Sequence, residues 1–421
     1  MTAAYTSELA EALSADVLDR LLRYVRIDTQ SDRAHAQSPS TPGQLELGRL
    51  LVDELRGLGL SDAAQDANGF VTATLPGTVD GAPVIGLLAH LDTSPDESGA
   101  NVEPLVHRDY DGGVIALPRR GTVLDPAHIP ELTAKVGHDL VTTSGDTLLG
   151  ADDKAGMAEV MAAVAYLAAH PELPRPTLRV GFTPDEEIGE GAKLFDIDAF
   201  GAACAYTFDG SEAGEFTDET FTAASADVVI HGVEVHPGFA TGKLVNASRL
   251  AGRVLTALPA ELTPEATSER EGFIHVYSVE STAGEATIRT IVRDFDDERL
   301  AEHVALLRRT AEEVVASDPR ARLEVEVKHQ YPNMRTFLDR HPGVSDAAEE
   351  ALRREGFEPK RVPIRGGTDG SILSARGLPT PNLFTGGHEY HSVREWASVQ
   401  DMASAAAVAV RLAGVWAERA G

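Results

Sequence analysis

Four short apolar runs in this 421-residue chain end in side chains that can bind a metal or move a proton. VIGLLAH ends in His90, with Asp92 two residues on. LRVGFTPDEE ends in Asp185, Glu186 and Glu187. AYTFDG ends in Asp209, and PNLFTGGHEYH ends in His388 and His391. A fifth stretch, LLGADDKAG, sets Asp152 and Asp153 just ahead of a helical pattern. Taken singly these are ordinary: an Asp before a helix is a common cap. Three adjacent carboxylates at the end of a buried run are not, because they repel and are costly to desolvate unless water or a cation meets them. Imidazoles and carboxylates together form the donor set of two zinc-like ions held close to each other. Other chemistries lack their signatures. There is no G-x-S-x-G elbow, Walker loop or G-x-G-x-x-G, and HEYH is one residue short of H-E-x-x-H.

Such groups, far apart in sequence, meet only if the fold gathers strand ends. The first half supplies that pattern. Thr41-Pro42 opens a helix that carries Leu47, Leu50, Leu51, Leu55 and Leu58 on helical spacing, and Gly59 follows it. VIGLLAH, LRVGF and ACAYTF are unbroken apolar runs, typical of strands covered on both faces, and Ala155–Ala169 is a helix between them. The alternation predicts an α/β domain with a mainly parallel central sheet, in which ligands bind beyond the carboxyl ends of the strands. From about Phe221 the character changes. Strand, helix (Leu244–Leu258), two strands with period-two alternation (Phe273–Glu280, Glu285–Phe295), helix (Asp297–Val315) and strand (Arg322–Gln330) make a split βαβ order. The expected organisation is a catalytic domain of residues 1–221 plus 331–421, interrupted by an α+β lid domain of residues 222–330.

Composition narrows the partners. With 37 basic and 66 acidic residues the net charge is −29, which disfavours nucleic acid and anionic membranes. A single cysteine, Cys204, rules out an internal disulfide and fits a reducing compartment. The N-terminal segment has no signal-peptide pattern, and no apolar stretch is long enough to span a bilayer. A cytoplasmic enzyme is expected.

GLLAHLDT, LLGADDKAG, TPDEEIGEGA, YTFDG, HPG, RDFD, RGGTDG and PNLFTGGHEYH together resemble the peptidase T (tripeptide aminopeptidase) branch of the two-zinc family that also holds carboxypeptidase G and amino-acid deacylases. The resemblance runs over nearly the whole chain. It implies a zinc-binding α/β domain interrupted by a lid, and two Zn2+ ions, with Co2+ or Mn2+ as substitutes. It implies that His90 and Asp209 bind one ion, that Glu187 and His391 bind the other, and that Asp152 bridges them and precedes a cis peptide bond. Glu186 matches the general base, and Asp92 the residue that orients His90. As i and i+2 these two share a strand face, so the carboxylate can accept the far ring proton. In the lid, His236 resembles the histidine that contacts the substrate carbonyl. Arg293 resembles the arginine that clamps a peptide's C-terminal carboxylate, a task for its planar fork. Asn333, Gly366, Gly367 and Thr368 are expected to line the pocket. Two departures stand out. Ser211 occupies a position often held by Gly, and His388 competes with His391 for the ligand role.

The implied activity is hydrolysis of the first peptide bond of tripeptides by a metal-activated water, with Glu186 as base. The metal and base motifs are shared with dipeptidases and N-acyl amino acid deacylases of the same family, which remain the alternatives. A non-catalytic zinc-dependent peptide-binding protein is the alternative of another class, and the presence of Glu186 argues against it. Short peptides are the expected partners, and the resemblance allows a homodimer.

Overall fold

The structure is a computed structural model that describes residues 5–35 and 37–420. The chain divides into two compact units. One runs to Asp218 and resumes over Thr336–Val362 and from Thr368; the other comprises Glu219–Arg335 and Pro363–Gly367. The second unit is therefore wider than residues 222–330 and takes in a short later return of the chain.

The first unit is built on an eight-stranded sheet in the order Ala64–Gln65, Val71–Leu75, Leu178–Thr183, Ile85–His90, Cys204–Gly210, Asn382–Phe384, Glu215–Thr217, Lys360–Arg361. Its four central strands, from Leu178–Thr183 to Asn382–Phe384, run parallel, with antiparallel pairings towards both edges. Every residue of Ile85–His90 is buried, as a strand covered on both faces requires. One cover is the helix Ala151–Ala169, packed on Ile85–His90 and Cys204–Gly210 and flanked by the helices Glu8–Tyr24 and Val399–Glu418. Sandwiched this way, the Ala-, Met- and Val-rich helix needs no polar stripe. A cluster of Phe70, Leu88, Phe195, Phe200 and Leu373 forms another part of the core. Because the central strands are parallel, His90, the 185–187 turn, Asp209 and the 385–391 loop all leave the sheet at one edge.

A smaller antiparallel sheet joins Gly387–His388, Trp396–Ser398, Leu140–Thr142 and Leu105–His107. It pins both sides of the loop that carries His391. Among the described residues no helix is long and apolar enough to cross a membrane.

The second unit is a four-stranded antiparallel sheet in the order Phe273–Ser281, Glu285–Asp294, Thr222–His231, Arg322–Tyr331. The helices Ala247–Ala257 and Asp297–Val315 cover it through a core that includes Val228, Ile230, Leu250, Val254, Ile288, Val292, Leu300 and Leu307. The first of these helices starts three residues later than the apolar pattern suggests. Val245 instead bridges Val233, and Asn246 caps the helix by accepting from Arg249 N at 3.1 Å.

Candidate metal centre

The turn after Leu178–Thr183 is shaped by Asp185, which has a left-handed backbone, φ 59°. Its carboxylate accepts from Ser40 N (2.8 Å), Ser40 Oγ (2.5 Å) and Gln44 Nε2 (2.8 Å). Asp185 therefore anchors the turn, and Glu186 and Glu187 project from it. Asp92, fully buried, accepts from Glu186 N at 2.9 Å and Glu187 N at 3.1 Å. Its carboxylate stands 3.4 Å from His90 Nδ1, whereas its backbone carbonyl is nearer, at 3.1 Å. The strand ends at His90, but the Asp92 carboxylate and carbonyl both stay beside its Nδ1, while the carboxylate also holds the backbones of the two glutamates.

His90 Nε2 lies 2.9 Å from Asp152 Oδ1 and 3.7 Å from Asp209 Oδ1. His391 Nε2 lies 3.2 Å from Asp152 Oδ2 and 3.0 Å from Glu187 Oε1. Asp152 thus faces one histidine with each oxygen, and the Asp152–Asp153 peptide is cis. His90, Asp152 and Glu187 present donor atoms within 4.8 Å of one another, as do His90, Asp153 and Asp209. Two imidazoles and three carboxylates gathered in one buried place fit two divalent ions.

The electrostatics say the same. Burial, then the charge on Asp152, pushes Glu187 up to about 7. Burial, then Asp209, drives Glu186 well above the usual carboxylate range. Burial works against protonation of His391, but the bonds to Asp152 and Glu187 outweigh it and raise its pKa to about 11. His90 is raised in the same way by Asp152, Asp209 and Asp92 against its burial. Among the described residues the Glu186 side chain has no hydrogen-bond or ion-pair partner, as a group kept for an incoming molecule would be.

Asp153 accepts from His90 N at 2.9 Å and Gly156 N at 3.2 Å. A Cβ on Gly156 would lie 1.9 Å from Phe208 O, so only glycine lets this helix lie against the strand that delivers Asp209. Lys154, 1% exposed, donates to Ile27 O at 2.7 Å, and burial lowers its pKa to about 8. His388 is elsewhere. It stacks on Trp396 with centroids 4.2 Å apart, 3.6 Å from Glu212, and Lys135 Nζ sits 2.6 Å from Glu212 and 2.7 Å from Asp401. An ammonium already meets the need for positive charge there.

Sequence patterns gave no sign of Glu395, 1% exposed, whose carboxylate accepts from Leu149 N, Gly150 N and Asp152 N at 2.7, 2.8 and 3.1 Å. Its only signal is a charge set directly before the apolar strand Trp396–Ser398.

Of the expected substrate residues, His236, Arg293, Asn333, Gly366 and Gly367 belong to the second unit, and Thr368 to the first. His236 is exposed, accepts from Gly238 N through Nδ1 at 3.2 Å, and has its ring 5.5 Å from Phe239. Arg293 is 9% exposed and stacks over Tyr331 at 5.5 Å; its Nη1 donates to Ala224 O (3.1 Å) and Val292 O (3.0 Å). The neighbouring Asp294 pairs with Arg299 at 2.9 Å and His303 at 3.1 Å instead. Among the described residues Arg293 has no carboxylate partner. Asn333, expected to line the pocket, is held by the backbone. It is 5% exposed, its Nδ2 donates to Phe295 O at 3.0 Å, and its Oδ1 accepts from Thr220 N (3.2 Å) and Arg335 N (3.0 Å). Both ends of the amide are committed to backbone.

Residues 147–414 match the model of peptidase family M20/M25/M40. A peptidase T of Shouchella clausii is 48% identical over 409 residues, covering 97% of this chain and 100% of that one. Among solved structures, the aminopeptidase PepT of Bacillus cereus superposes with TM-score 0.75 at 24% identity, over 96% of this chain and 99% of that one. The YXEP protein of Bacillus subtilis, described as a dinuclear metal-binding peptidase of the M20 family, superposes with TM-score 0.64 at 16% identity, over 97% and 99%.

Proposed function

Because this chain belongs to peptidase family M20/M25/M40, and within it to the peptidase T group, we propose that it removes the N-terminal residue from tripeptides, using two divalent metal ions, zinc by preference. His90 and Asp209 would hold one ion, Glu187 and His391 the other, and Asp152 both. Such ions, when bound, lower the pKa of water and polarise the scissile carbonyl.

The chain's own residues supply the proton path. Glu186 takes a proton from the attacking water as the new C–O bond forms at the carbonyl carbon. It then gives that proton to the leaving nitrogen as the C–N bond breaks. Asp92, by fixing the Glu186 and Glu187 backbones together, keeps base and ligand in register. His236 supplies a donor to the carbonyl oxygen, and Arg293 takes the C-terminal carboxylate. A single cysteine supports a cytoplasmic location.

What carries this reading is the Glu186 carboxylate, unpartnered beside a metal-ligand cluster. The test is a panel of di-, tri- and tetrapeptides and an N-acetyl amino acid, incubated with metal-loaded protein and resolved by mass spectrometry. Release of the first residue from tripeptides, faster than from the others, is expected. Turnover of the dipeptide or the N-acetyl compound alone would replace it with a dipeptidase or deacylase assignment.

A further inference from the structure

The turn that leads into the helix Ala151–Ala169 has no side-chain cap at Gly150, and its backbone is non-helical at Asp152 and Asp153. Buried backbone N–H groups in such a turn need acceptors, and a carboxylate is a strong one. Glu395 supplies it from far along the sequence. Oε2 takes Leu149 N (2.7 Å) and Gly150 N (2.8 Å), and Oε1 takes Asp152 N (3.1 Å). The carboxylate therefore grips the turn on both sides of Ala151, and the last group it holds is the backbone of Asp152 itself.

Glu395 is fixed equally firmly at its own backbone. Its N–H donates to Ser392 O at 3.2 Å, and the next residue opens the strand Trp396–Ser398, which is paired on both sides with Leu140–Thr142 and Gly387–His388. His391 stands four positions earlier in the same loop. A single buried side chain thus joins the loop that delivers His391 to the turn that delivers Asp152, and Asp152 in turn faces both His391 and His90.

We propose that Glu395 is a positioning residue for the metal centre, locking the Asp152 turn to the His391 loop so that the ligands are assembled before any ion arrives. The inference rests on the two-metal reading of the site. Glutamate is required because an amide cannot replace it. Whichever way a glutamine side chain turns, its NH2 faces at least one of the three backbone N–H groups and leaves that donor unpaired in a buried place.

The test compares wild-type, Glu395→Gln, Glu395→Asp and Glu54→Gln proteins, each stripped of metal and titrated with zinc against a chromophoric chelator. Glu54 is the control, a half-buried carboxylate that binds Arg20, Arg23 and Tyr24 far along the chain from any ligand. Glu395→Gln should bind zinc about 10–100-fold more weakly, the usual range for a group that orients a ligand. At saturating zinc its kcat for a tripeptide should fall while KM stays within about threefold, since the ligand turn and not the peptide clamp has moved. Glu54→Gln should lower the melting temperature and leave zinc affinity unchanged. If Glu395→Gln does not fold, Glu395→Asp decides; one methylene shorter, it keeps the charge but cannot span all three donors, and the same loss is expected. Wild-type zinc affinity in the folded Glu395 variant, or an equal loss in Glu54→Gln, overturns the proposal. Failure of the wild type to take up two zinc ions would instead overturn the two-metal reading beneath it.

Discussion

Arg293 offers a measurable account of substrate choice. The residue is 9% exposed, its guanidinium stacked on Tyr331 and without a carboxylate partner among the described residues, in a chain where acids outnumber bases 66 to 37. Nη1 is committed to Ala224 O and Val292 O, which leaves Nε–H and the Nη2 amino group as a fork of the shape a carboxylate accepts. A hydrogen-bonded contact to a charged group is worth about 1.5–3 kcal/mol, or about 10–150-fold in kcat/KM. The perturbation is made on both sides of the contact. Arg293→Met keeps the stem over Tyr331 and removes the fork, and a C-terminally amidated tripeptide removes the carboxylate. Wild-type enzyme should prefer the free acid over the amide by about 10–150-fold, and Arg293→Met should lower kcat/KM for the acid by a similar factor. The decisive figure is the coupling. In the variant the preference for acid over amide should shrink to within about threefold, because the partner of the carboxylate is gone. Melting temperatures and turnover of the amide control for the two backbone carbonyls that lose a donor. An Arg293→Met enzyme that still prefers the free acid as strongly as wild type refutes the clamp.

Other outcomes follow from single groups. Glu186→Gln should retain bound metal, measured by atomic emission, while kcat drops by about 10²–10⁴-fold; activity near wild type would remove Glu186 from the mechanism. Glu159, fully buried with both carboxylate oxygens unpartnered, is driven well above its ordinary value of 4.5 by burial, then by Asp153 and Asp401. A folded-state value above the unfolded one means stability is present at low pH and lost as pH rises from about 4.5 towards the folded value, at about 1.4 kcal/mol per unit. Glu159→Gln should therefore match wild type near pH 4 and become the more stable protein as pH rises, read from urea midpoints; parallel midpoint curves would contradict this. Asn333→Ala should cost about 1–3 kcal/mol of stability in the same assay, with KM for tripeptides unchanged.

Much of the fold was legible because the central strands are unbroken apolar runs that end abruptly in charge. His90, Glu187, Asp209 and His391 could be picked out for that reason, and parallel strands bring such ends to one edge. What stayed hidden depends on contacts that leave no local pattern. Glu395 acts on backbone groups of Leu149–Asp152, which have no sequence signature. Strand alternation pointed Asp92 at His90, but gave no sign that the same carboxylate also holds the backbones of Glu186 and Glu187. Asn333 looks like any polar loop residue until Phe295, Thr220 and Arg335 are seen to use both ends of its amide. The return at Pro363–Gly367 is five residues long and has no periodicity to read. The strands Leu105–His107 and Leu140–Thr142 are three residues each, again too short for a period-two pattern.

Gly156 sets a limit on how this enzyme could be engineered. Helical glycines are the usual first targets for thermostabilisation, since alanine there gains about 1 kcal/mol of helix propensity. Gly252 and Gly414 suit that treatment, for a methyl group on either meets nothing within 4 Å. Gly156 looks the same to a design algorithm that scores helices by residue preference. Its methyl would collide with Phe208 O, one residue from Asp209, and force apart the two elements that deliver Asp152 and Asp209. The same substitution that hardens the protein at two helices would dismantle its chemistry at the third.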